Sequence, residues 1–258
     1  MPCLEKMADF VLRANLPHAV RALIIGEKYM DILKAPLARR GITCIALPDN
    51  PCVDARLSGH ADLSAFHAGG ARLWLAPQLK GGAFAGALSA LGADIKYADI
   101  AQGDVYPRDA QLNIAALGRA IIYNPAVAYM PIVESFTKGD ACRAVICRQG
   151  YAKCSCVVVD EGAIITSDRG IARAAECAGL EVLLISPGHV TLDGFEYGFM
   201  GGAAFKLSDD VIAFTGRLDS HPDAERILAF LARRGISPVY LTDIPAFDIG
   251  GAIPLTEK

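Results

Sequence analysis

A repeated pattern, in which a glycine is followed by a short apolar run, is the feature that most constrains how this chain can fold. Each of these glycines comes after a segment with helical apolar spacing. The five glycines are Gly41, Gly92, Gly139, Gly179 and Gly235. A glycine directly after a helix supplies the left-handed backbone conformation that ends the helix. The pattern therefore predicts five helices, each followed by a β-strand.

Two further apolar runs precede each helix, and together they define the repeated unit. The runs nearest the helices indicate strands at 22–26, 71–77, 119–125, 162–168 and 210–216. The runs that open the units indicate strands at 60–67, 108–115, 153–159, 201–207 and 250–255. Each unit is therefore predicted to be strand, turn, strand, helix, glycine and strand. Asn124 and Asp168 are predicted to cap two of the helices at their N-termini.

One of the five units is split between the two ends of the chain. Residues 250–255 supply its opening strand, and the segment that begins at residue 22 supplies the rest. Pairing of the two ends would close the units into a ring and remove the sheet edges that an open array leaves exposed. The alternative is an ordinary doubly wound α/β domain, but the first strand is not followed by a Gly-rich phosphate-binding turn.

We therefore predict an α/β fold, a five-bladed propeller that forms one domain over residues 1–258. The approximate units are 59–105, 106–150, 151–197, 198–247, and 248–258 together with 21–58. Residues 1–20 have a helical apolar pattern and are predicted to form an N-terminal helical extension.

Composition and charge narrow the class of protein. The formal net charge of −3 argues against a nucleic-acid partner, which would require a basic surface. No segment resembles a secretory signal, and no run reaches the ~18 apolar residues that a membrane span needs. The eight cysteines are scattered, as is typical of reduced thiols. The chain is therefore predicted to be cytoplasmic with no membrane partner, while its oligomeric state stays open and a homodimer is compatible with the sequence.

Three short motifs lie in the opening runs of the units. They are Gly59-His60-Ala61-Asp62, Lys153-Cys154-Ser155 and Phe247-Asp248-Ile249-Gly250-Gly251. The first resembles the Gly-His-x-Asp motif of the pentein superfamily, and the others are similar to its nucleophile and acidic-Gly-Gly segments. That superfamily contains arginine and agmatine deiminases, amidinotransferases and dimethylarginine hydrolases. The segments 59–64, 106–113, 149–155 and 248–255 together most resemble a bacterial family of pentein-like proteins that has no established activity.

The resemblance implies a guanidino-modifying hydrolase or amidinotransferase with a site in the central channel and no cofactor. Cys154 is the candidate nucleophile, with Lys153 and His60 expected to lower the pKa of its thiol. His60 would act as the general acid and base, and Asp62 would orient it. A small cationic guanidino or amidino ligand is the expected partner.

Further residues are candidates for substrate binding. Asp248, Asp109 and Glu196 could hold a cation through bidentate hydrogen bonds. Gly202 and Gly251 would let a ligand or the neighbouring backbone approach closely.

Other interpretations of these residues remain open at this stage. Cys154 could be a core cysteine, His60 could be satisfied by the backbone, and each acidic residue could cap a turn. The string Tyr106-Pro107-Arg108-Asp109 lies in a different unit from the one that bears the substrate-binding Asp in the enzymes. The superfamily also has a non-catalytic branch, so the chain could instead be a binding protein for a small cation or a macromolecule. A channel plugged by Tyr151, Phe199 or Met200 would favour that alternative.

The spacing of four cysteines and the position of His67 do not indicate further functional sites. The spacing of Cys142, Cys147, Cys154 and Cys156 is not that of a familiar zinc site, so no metal centre is predicted. His67 is seven residues from His60 on a strand whose faces alternate, so its side chain is expected to point the opposite way.

Overall fold

A computed structural model describes residues 9–138 and 142–258 and shows the repeated unit directly. The strands are β1 (Val20–Gly26), β2 (Thr43–Leu47), β3 (Ala65–His67), β4 (Arg72–Leu75), β5 (Asp94–Tyr97), β6 (Ala115–Leu117), β7 (Ala120–Tyr123), β8 (Arg143–Ile146), β9 (Cys156–Asp160), β10 (Ala163–Thr166), β11 (Glu181–Leu184), β12 (Ala204–Lys206), β13 (Val211–Phe214), β14 (Ser237–Tyr240) and β15 (Ile253–Glu257). The α-helices are α1 (Met30–Ala38), α2 (Ala61–Ser64), α3 (Ala83–Ala90), α4 (Met130–Thr137), α5 (Arg169–Cys177) and α6 (Ala224–Arg233).

The strands form five three-stranded sheets with the same topology. Their strand orders are β15–β1–β2, β3–β4–β5, β6–β7–β8, β9–β10–β11 and β12–β13–β14. In every sheet the first strand runs antiparallel to the middle strand, and the third runs parallel to it. A helix precedes each third strand, because a parallel pair needs a crossover connection. The predicted five-bladed α/β propeller is confirmed.

The ring closes through the two ends of the chain, as predicted. The C-terminal strand β15 pairs with β1, where Leu23 lies opposite Pro254 and Ile24 opposite Ile253. All five residues of β15 are buried. Apolar side chains of β15 share one core cluster with β1, β3 and β4, so the closing strand joins two neighbouring units.

The glycines after the helices have the predicted conformation wherever they can be examined. Gly41, Gly92, Gly179 and Gly235 have φ values of 74, 91, 78 and 69°. These lie in the left-handed region that glycine enters without a steric penalty. Gly139 falls outside the described residues.

The opening strands begin later than the apolar runs predict. The run 60–67 forms strand only from Ala65, after the single turn α2, and the run 153–159 forms strand only from Cys156. Residues Met200–Gly202 form a 3₁₀ turn before β12, and Gly250 and Gly251 have φ near +69° and +68°, which is not strand geometry. Because these segments are turns, their side chains are free to point at the centre of the ring.

The predicted helical extension at residues 1–20 is wrong where it can be examined. Residues 9–19 contain no helix, and residues 1–8 lie outside the described part of the chain. Phe10 forms a β-bridge with Thr256, and the Glu257 carboxylate accepts hydrogen bonds from the backbone N–H of Leu12 and His18. Pairing with β15 satisfies the backbone here, so it replaces the helix that the local pattern favours.

The two predicted caps have different outcomes. Asp168 accepts a hydrogen bond from the Ile171 backbone N–H at 2.8 Å and caps α5 as predicted. Asn124 caps no helix, because its side chain closes a turn with the backbone N–H of Ala126 and α4 begins only at Met130. No helix in the described segments is long and apolar enough to cross a membrane.

Candidate active site

Three reactive side chains from different units meet at the centre of the ring. They are His60, Cys154 and Asp248, whose candidate ligand atoms all lie within 4.8 Å of one another. Each residue sits in the turn that leads into the opening strand of its unit, before β3, β9 and β15 respectively. All three are buried. The five-fold repeat explains the meeting, because equivalent positions of the units face one axis.

Cys154 is held by two side chains. Its thiol donates a hydrogen bond to Asp62 Oδ2, with Sγ and Oδ2 2.8 Å apart, and its sulfur accepts one from Asn113 Nδ2 at 3.1 Å. Asn113 Oδ1 also accepts the backbone N–H groups of Lys153 and Cys154, at 2.8 and 3.1 Å. One buried amide therefore fixes both the sulfur and the turn that carries it.

The sequence motifs do not single out Asn113 as a site residue. The available signal was its position, because Asn113 precedes β6 by two residues just as Cys154 precedes β9. Asp109, the residue selected instead in this unit, is buried and accepts a hydrogen bond from the Tyr151 hydroxyl. Asp109 does not line the cavity above Cys154, whereas Tyr151, to which it is hydrogen-bonded, does.

The acid–base state of the site differs from the expectation. Burial, followed by the charges of Asp62 and Asp248, raises the pKa of the Cys154 thiol well above its ordinary value. The expectation that Lys153 and His60 would lower this pKa is wrong. Lys153 Nζ donates to the Gly201 carbonyl at 3.3 Å instead of contacting the sulfur.

Asp62 and His60 are shifted toward their neutral forms. Burial raises the pKa of Asp62 to about 7, although Lys153 opposes the shift. Burial also lowers the pKa of His60 below its ordinary value. Asp62 bonds to Cys154 rather than orienting His60, which corrects a second expectation. His60 Nε2 is buried and has no hydrogen-bond partner among the described residues, so it can bond to a ligand.

Asp248 is fixed by the backbone. Its Oδ2 accepts the N–H of Phe199 and its Oδ1 accepts the N–H of Gly250, both at 2.8 Å. Gly202 makes this position accessible, because a Cβ on Gly202 would lie 1.8 Å from Asp248 Oδ1. Gly251, with φ near +68°, donates its N–H to the Gly202 carbonyl at 2.8 Å. The two glycines let neighbouring turns approach closely enough to hold the carboxylate.

We predict that Gly202→Ala lowers stability by about 1–3 kcal/mol, because the new methyl group overlaps a carboxylate that two backbone N–H groups hold in place. The midpoint of urea denaturation measures the effect. Gly86→Ala is the matched control, because Gly86 lies inside α3 and a Cβ there meets nothing within 4 Å. Equal stability of Gly202→Ala and the parent would contradict the close approach.

A cavity of about 310 Å³ opens above the three reactive groups. His60, Cys154 and Asp248 form its floor, and aromatic and aliphatic side chains form its walls. Tyr151 and Phe199 are among the wall residues, whereas Met200 packs in the core, so none of the three plugs the site. Glu196 is exposed and lies at the rim.

The remaining candidates lie away from this cavity. His67 is buried with Nδ1 3.0 Å from the Pro254 carbonyl and Nε2 2.7 Å from the Gly70 carbonyl, which is a structural environment. The seven cysteines among the described residues are free thiols, and Cys142, Cys147 and Cys156 do not join Cys154 in any cluster. Within residues 9–138 and 142–258, only His60, Cys154 and Asp248 are spaced to share a metal ion.

The model of one family matches residues 24–253, nearly the whole chain. The chain belongs to this family of unknown function, DUF6873. No curated protein sequence matches this DUF6873 chain.

Solved structures resemble this DUF6873 protein in fold. An amidinotransferase of the saxitoxin biosynthetic pathway from Microseira wollei matches with a TM-score of 0.56 and 10% identity, over 96% of this chain and 97% of that one. Inosamine-phosphate amidinotransferase from Streptomyces griseus matches with a TM-score of 0.58 and 11% identity, over 97% of each chain. Agmatine deiminase from C. jejuni matches with a TM-score of 0.57 and 8% identity, over 96% and 97%. These proteins are pentein superfamily members, so the predicted pentein fold is confirmed.

Proposed function

We propose that this chain is a cysteine-dependent enzyme that modifies guanidino or amidino groups, by hydrolysis or by transfer to an acceptor amine. The observation that carries the proposal is the convergence of His60, Cys154 and Asp248 on the floor of one cavity. The matched amidinotransferases and deiminase support the same reaction class, since the fold brings equivalent turns to one centre.

The floor suits a planar cation. Asp248 keeps lone pairs on both oxygens after it accepts two backbone N–H groups, so it can accept two more hydrogen bonds from a guanidinium. Asp62 adds a second buried carboxyl group directly behind the sulfur. Burying a cation requires such partners, because an unpaired charge in this environment is costly. Gly202 leaves the space that the carboxylate of Asp248 occupies.

A cation bound here would also activate the thiol. The pKa of Cys154 is high because burial and two carboxylates disfavour its anion. A guanidinium between the sulfur and Asp248 offsets those negative charges, so it favours the thiolate at the moment when the thiolate is needed. Activation by the substrate replaces the role first expected for Lys153.

The first half of the reaction forms a covalent amidino intermediate on Cys154. The thiol proton passes to neutral His60, and Cys154 Sγ attacks the guanidino carbon to form a C–S bond. The C–N bond to the leaving nitrogen breaks, and His60 returns the proton to that nitrogen. An amidino group remains on the sulfur.

In the second half, water or an acceptor amine attacks the carbon while His60 accepts its proton. The C–S bond breaks, and the proton returns to Cys154. Asn113 keeps Sγ in position throughout through its hydrogen bond, whereas the Asp62 hydrogen bond exists only while the thiol carries its proton.

The test is turnover of a panel of guanidino and amidino compounds, measured by release of ammonia or amine. Cys154→Ala is expected to lower the rate at least about a thousandfold, because Cys154 is the one thiol among the described residues that line the cavity. Mass spectrometry of the quenched parent should detect the amidino adduct on Cys154. Cys177→Ala is the control, because Cys177 is exposed at the end of α5. Unchanged turnover in Cys154→Ala would overturn the proposal.

One observation favours a second candidate, a non-catalytic binding protein for a small cation. The raised pKa of Cys154 means that the ligand-free thiol is protonated and poorly nucleophilic. A parent protein that binds guanidines but neither turns them over nor forms an adduct would support this alternative.

A further inference from the structure

The charged side chains that line the cavity are all acidic. Asp248 is buried at the floor, and Glu196 is exposed at the rim. No lysine or arginine among the described residues lines the cavity. A ligand that carries a carboxylate at its non-reacting end would therefore meet Glu196 without a cationic partner.

A cation beside the rim residue Phe195, Arg56, is already bound to protein groups. The Arg56 guanidinium stacks on the Phe195 ring, with its carbon 4.1 Å from the ring centre. Its Nε donates to Asp54 Oδ1 at 2.9 Å, and its Nη1 donates to the Gly194 carbonyl at 2.7 Å. The Arg56 hydrogen bonds lower the pKa of Asp54 to about 2, so the pair persists over the whole physiological pH range. Asp54 therefore already neutralises Arg56, so a ligand carboxylate would meet a paired rather than a free cation.

The walls between floor and rim are apolar. Leu57 and Leu192 contribute aliphatic surface, and Tyr151, Phe199 and Tyr197 contribute aromatic rings. Tyr151 and Phe199 have their ring centres 6.1 Å apart, so they form a continuous aromatic wall. The volume of about 310 Å³ exceeds what a guanidinium alone would fill. This volume and these walls fit a ligand whose second part is hydrophobic.

We infer that the substrates of this site are guanidines or amidines whose non-reacting end is an uncharged apolar chain or ring, and that guanidino acids are excluded. The inference rests on the proposed function for the position of the guanidinium. The apolar end then lies against the leucine and aromatic walls, and Glu196 repels carboxylates at the rim.

Three ligands of similar length test the inference by calorimetric binding to Cys154→Ala, which binds without turnover. They are n-butylguanidine, agmatine and 4-guanidinobutyrate, which end in a methyl, an ammonium and a carboxylate group. We expect 4-guanidinobutyrate to bind at least about tenfold more weakly than n-butylguanidine, and each methylene added to the alkyl chain to tighten binding by up to about fourfold. Agmatine is expected to bind no more tightly than n-butylguanidine, because its ammonium group would lose water against the apolar walls while an ion pair with exposed Glu196 contributes little.

Two outcomes would overturn the inference. Equal or tighter binding of 4-guanidinobutyrate would show that a carboxylate is accepted, and tighter binding of agmatine than of n-butylguanidine would show that the cavity selects a second cation. Glu196→Lys provides an internal check, because a cation at the rim should shift the affinity ratio toward 4-guanidinobutyrate by about tenfold. Glu176→Lys, with the same charge change at an exposed position of α5, should leave the ratio unaltered.

Turnover by the parent separates this inference from the proposed function. Binding in the expected order without turnover of any ligand would contradict the enzyme and leave the specificity standing. Turnover of 4-guanidinobutyrate in preference to n-butylguanidine would support the enzyme and contradict the specificity. Failure of all three guanidines to bind would overturn both.

Discussion

Removal of residues 252–258 is expected to unfold the whole chain rather than to shorten one edge of it. The deletion removes β15, every residue of which is buried. It exposes the backbone of β1, and it removes Ile253 and Leu255 from a core cluster that also contains Ile24 and Leu73. The deletion thus opens the ring at a sheet edge and removes the partner of two units at once. The loss should exceed the ~5–15 kcal/mol that stabilises a typical domain.

Far-ultraviolet circular dichroism and the presence of a cooperative thermal transition measure this effect. Deletion of Lys258 alone is the control, because Lys258 is exposed and lies just beyond β15. Leu255→Ala gives a graded form of the same test, with an expected loss of about 2–5 kcal/mol in a protein that still folds. A truncated chain that melts cooperatively near the parent temperature would show that the ring does not depend on its closing strand.

The repeat and its closure could be predicted because both depend on local patterns. A glycine after a helix and an apolar run after the glycine are readable within a dozen residues, and the same pattern occurs at Gly41 and at Gly235. One unit is split between the two ends of the chain, so its sheet can be completed only if the C-terminal strand pairs with the first strand. Apolar runs nevertheless overestimate strand length, since 60–63 and 201–202 carry the same apolar pattern but turn toward the centre of the ring.

Contacts that depend on placement in three dimensions could not be predicted. Asp62 is predicted to orient its neighbour in sequence, His60. It instead forms a hydrogen bond with Cys154, which lies two units further along the ring. Asn113 contacts the same sulfur from a third unit. Lys153 is adjacent to Cys154 in sequence, yet its ammonium bonds to the Gly201 carbonyl. In each case the sequence identifies the type of residue near the centre but not the atom that it faces.

The pKa of the Cys154 thiol is the clearest example of a property that could not be predicted from the sequence. A lysine and a histidine beside a cysteine suggest a lowered thiol pKa, whereas burial with Asp62 and Asp248 raises it. Burial cannot be read from the sequence at this position, because Cys154 lies in a turn and turns are usually exposed. Under the proposed function, the thiol would become nucleophilic only when a cation binds beside it.

Asp62→Asn should therefore make Cys154 more reactive toward a neutral thiol reagent while it lowers turnover. Above pH 7 most of the Asp62 carboxyl group is ionised, since its pKa is about 7, and its charge then raises the pKa of the thiol. An amide at this position removes that charge and can donate a hydrogen bond to the thiolate. Because the thiolate fraction rises as the pKa of the thiol falls, we expect alkylation of Cys154 at pH 7.5 to become at least about tenfold faster in the variant.

The rate of iodoacetamide alkylation, followed by mass spectrometry of the peptide that contains Cys154, measures the change from pH 6 to pH 10. In the parent the rate should still rise at the alkaline end, whereas in Asp62→Asn the same rise should occur at lower pH. Asp31→Asn on the exposed face of α1 is the control for loss of one carboxylate. Slower alkylation of Cys154 in a folded Asp62→Asn protein would contradict the electrostatic account.

The pH dependence of the free energy of unfolding provides a second measurement of the effect of Asp62. The folded-state pKa of Asp62 lies above its unfolded value of 3.8, so the folded protein retains a proton that the unfolded chain releases. The resulting stabilisation is fully present below about pH 4 and is lost as the pH rises through about 7. Asp62→Asn should remove this slope from the pH dependence of the free energy of unfolding. A hydrogen bond with a purely structural role would leave the alkylation profile unchanged. Agreement of the two measurements would therefore show that the charge of Asp62 keeps Cys154 in its thiol form while no cation is bound.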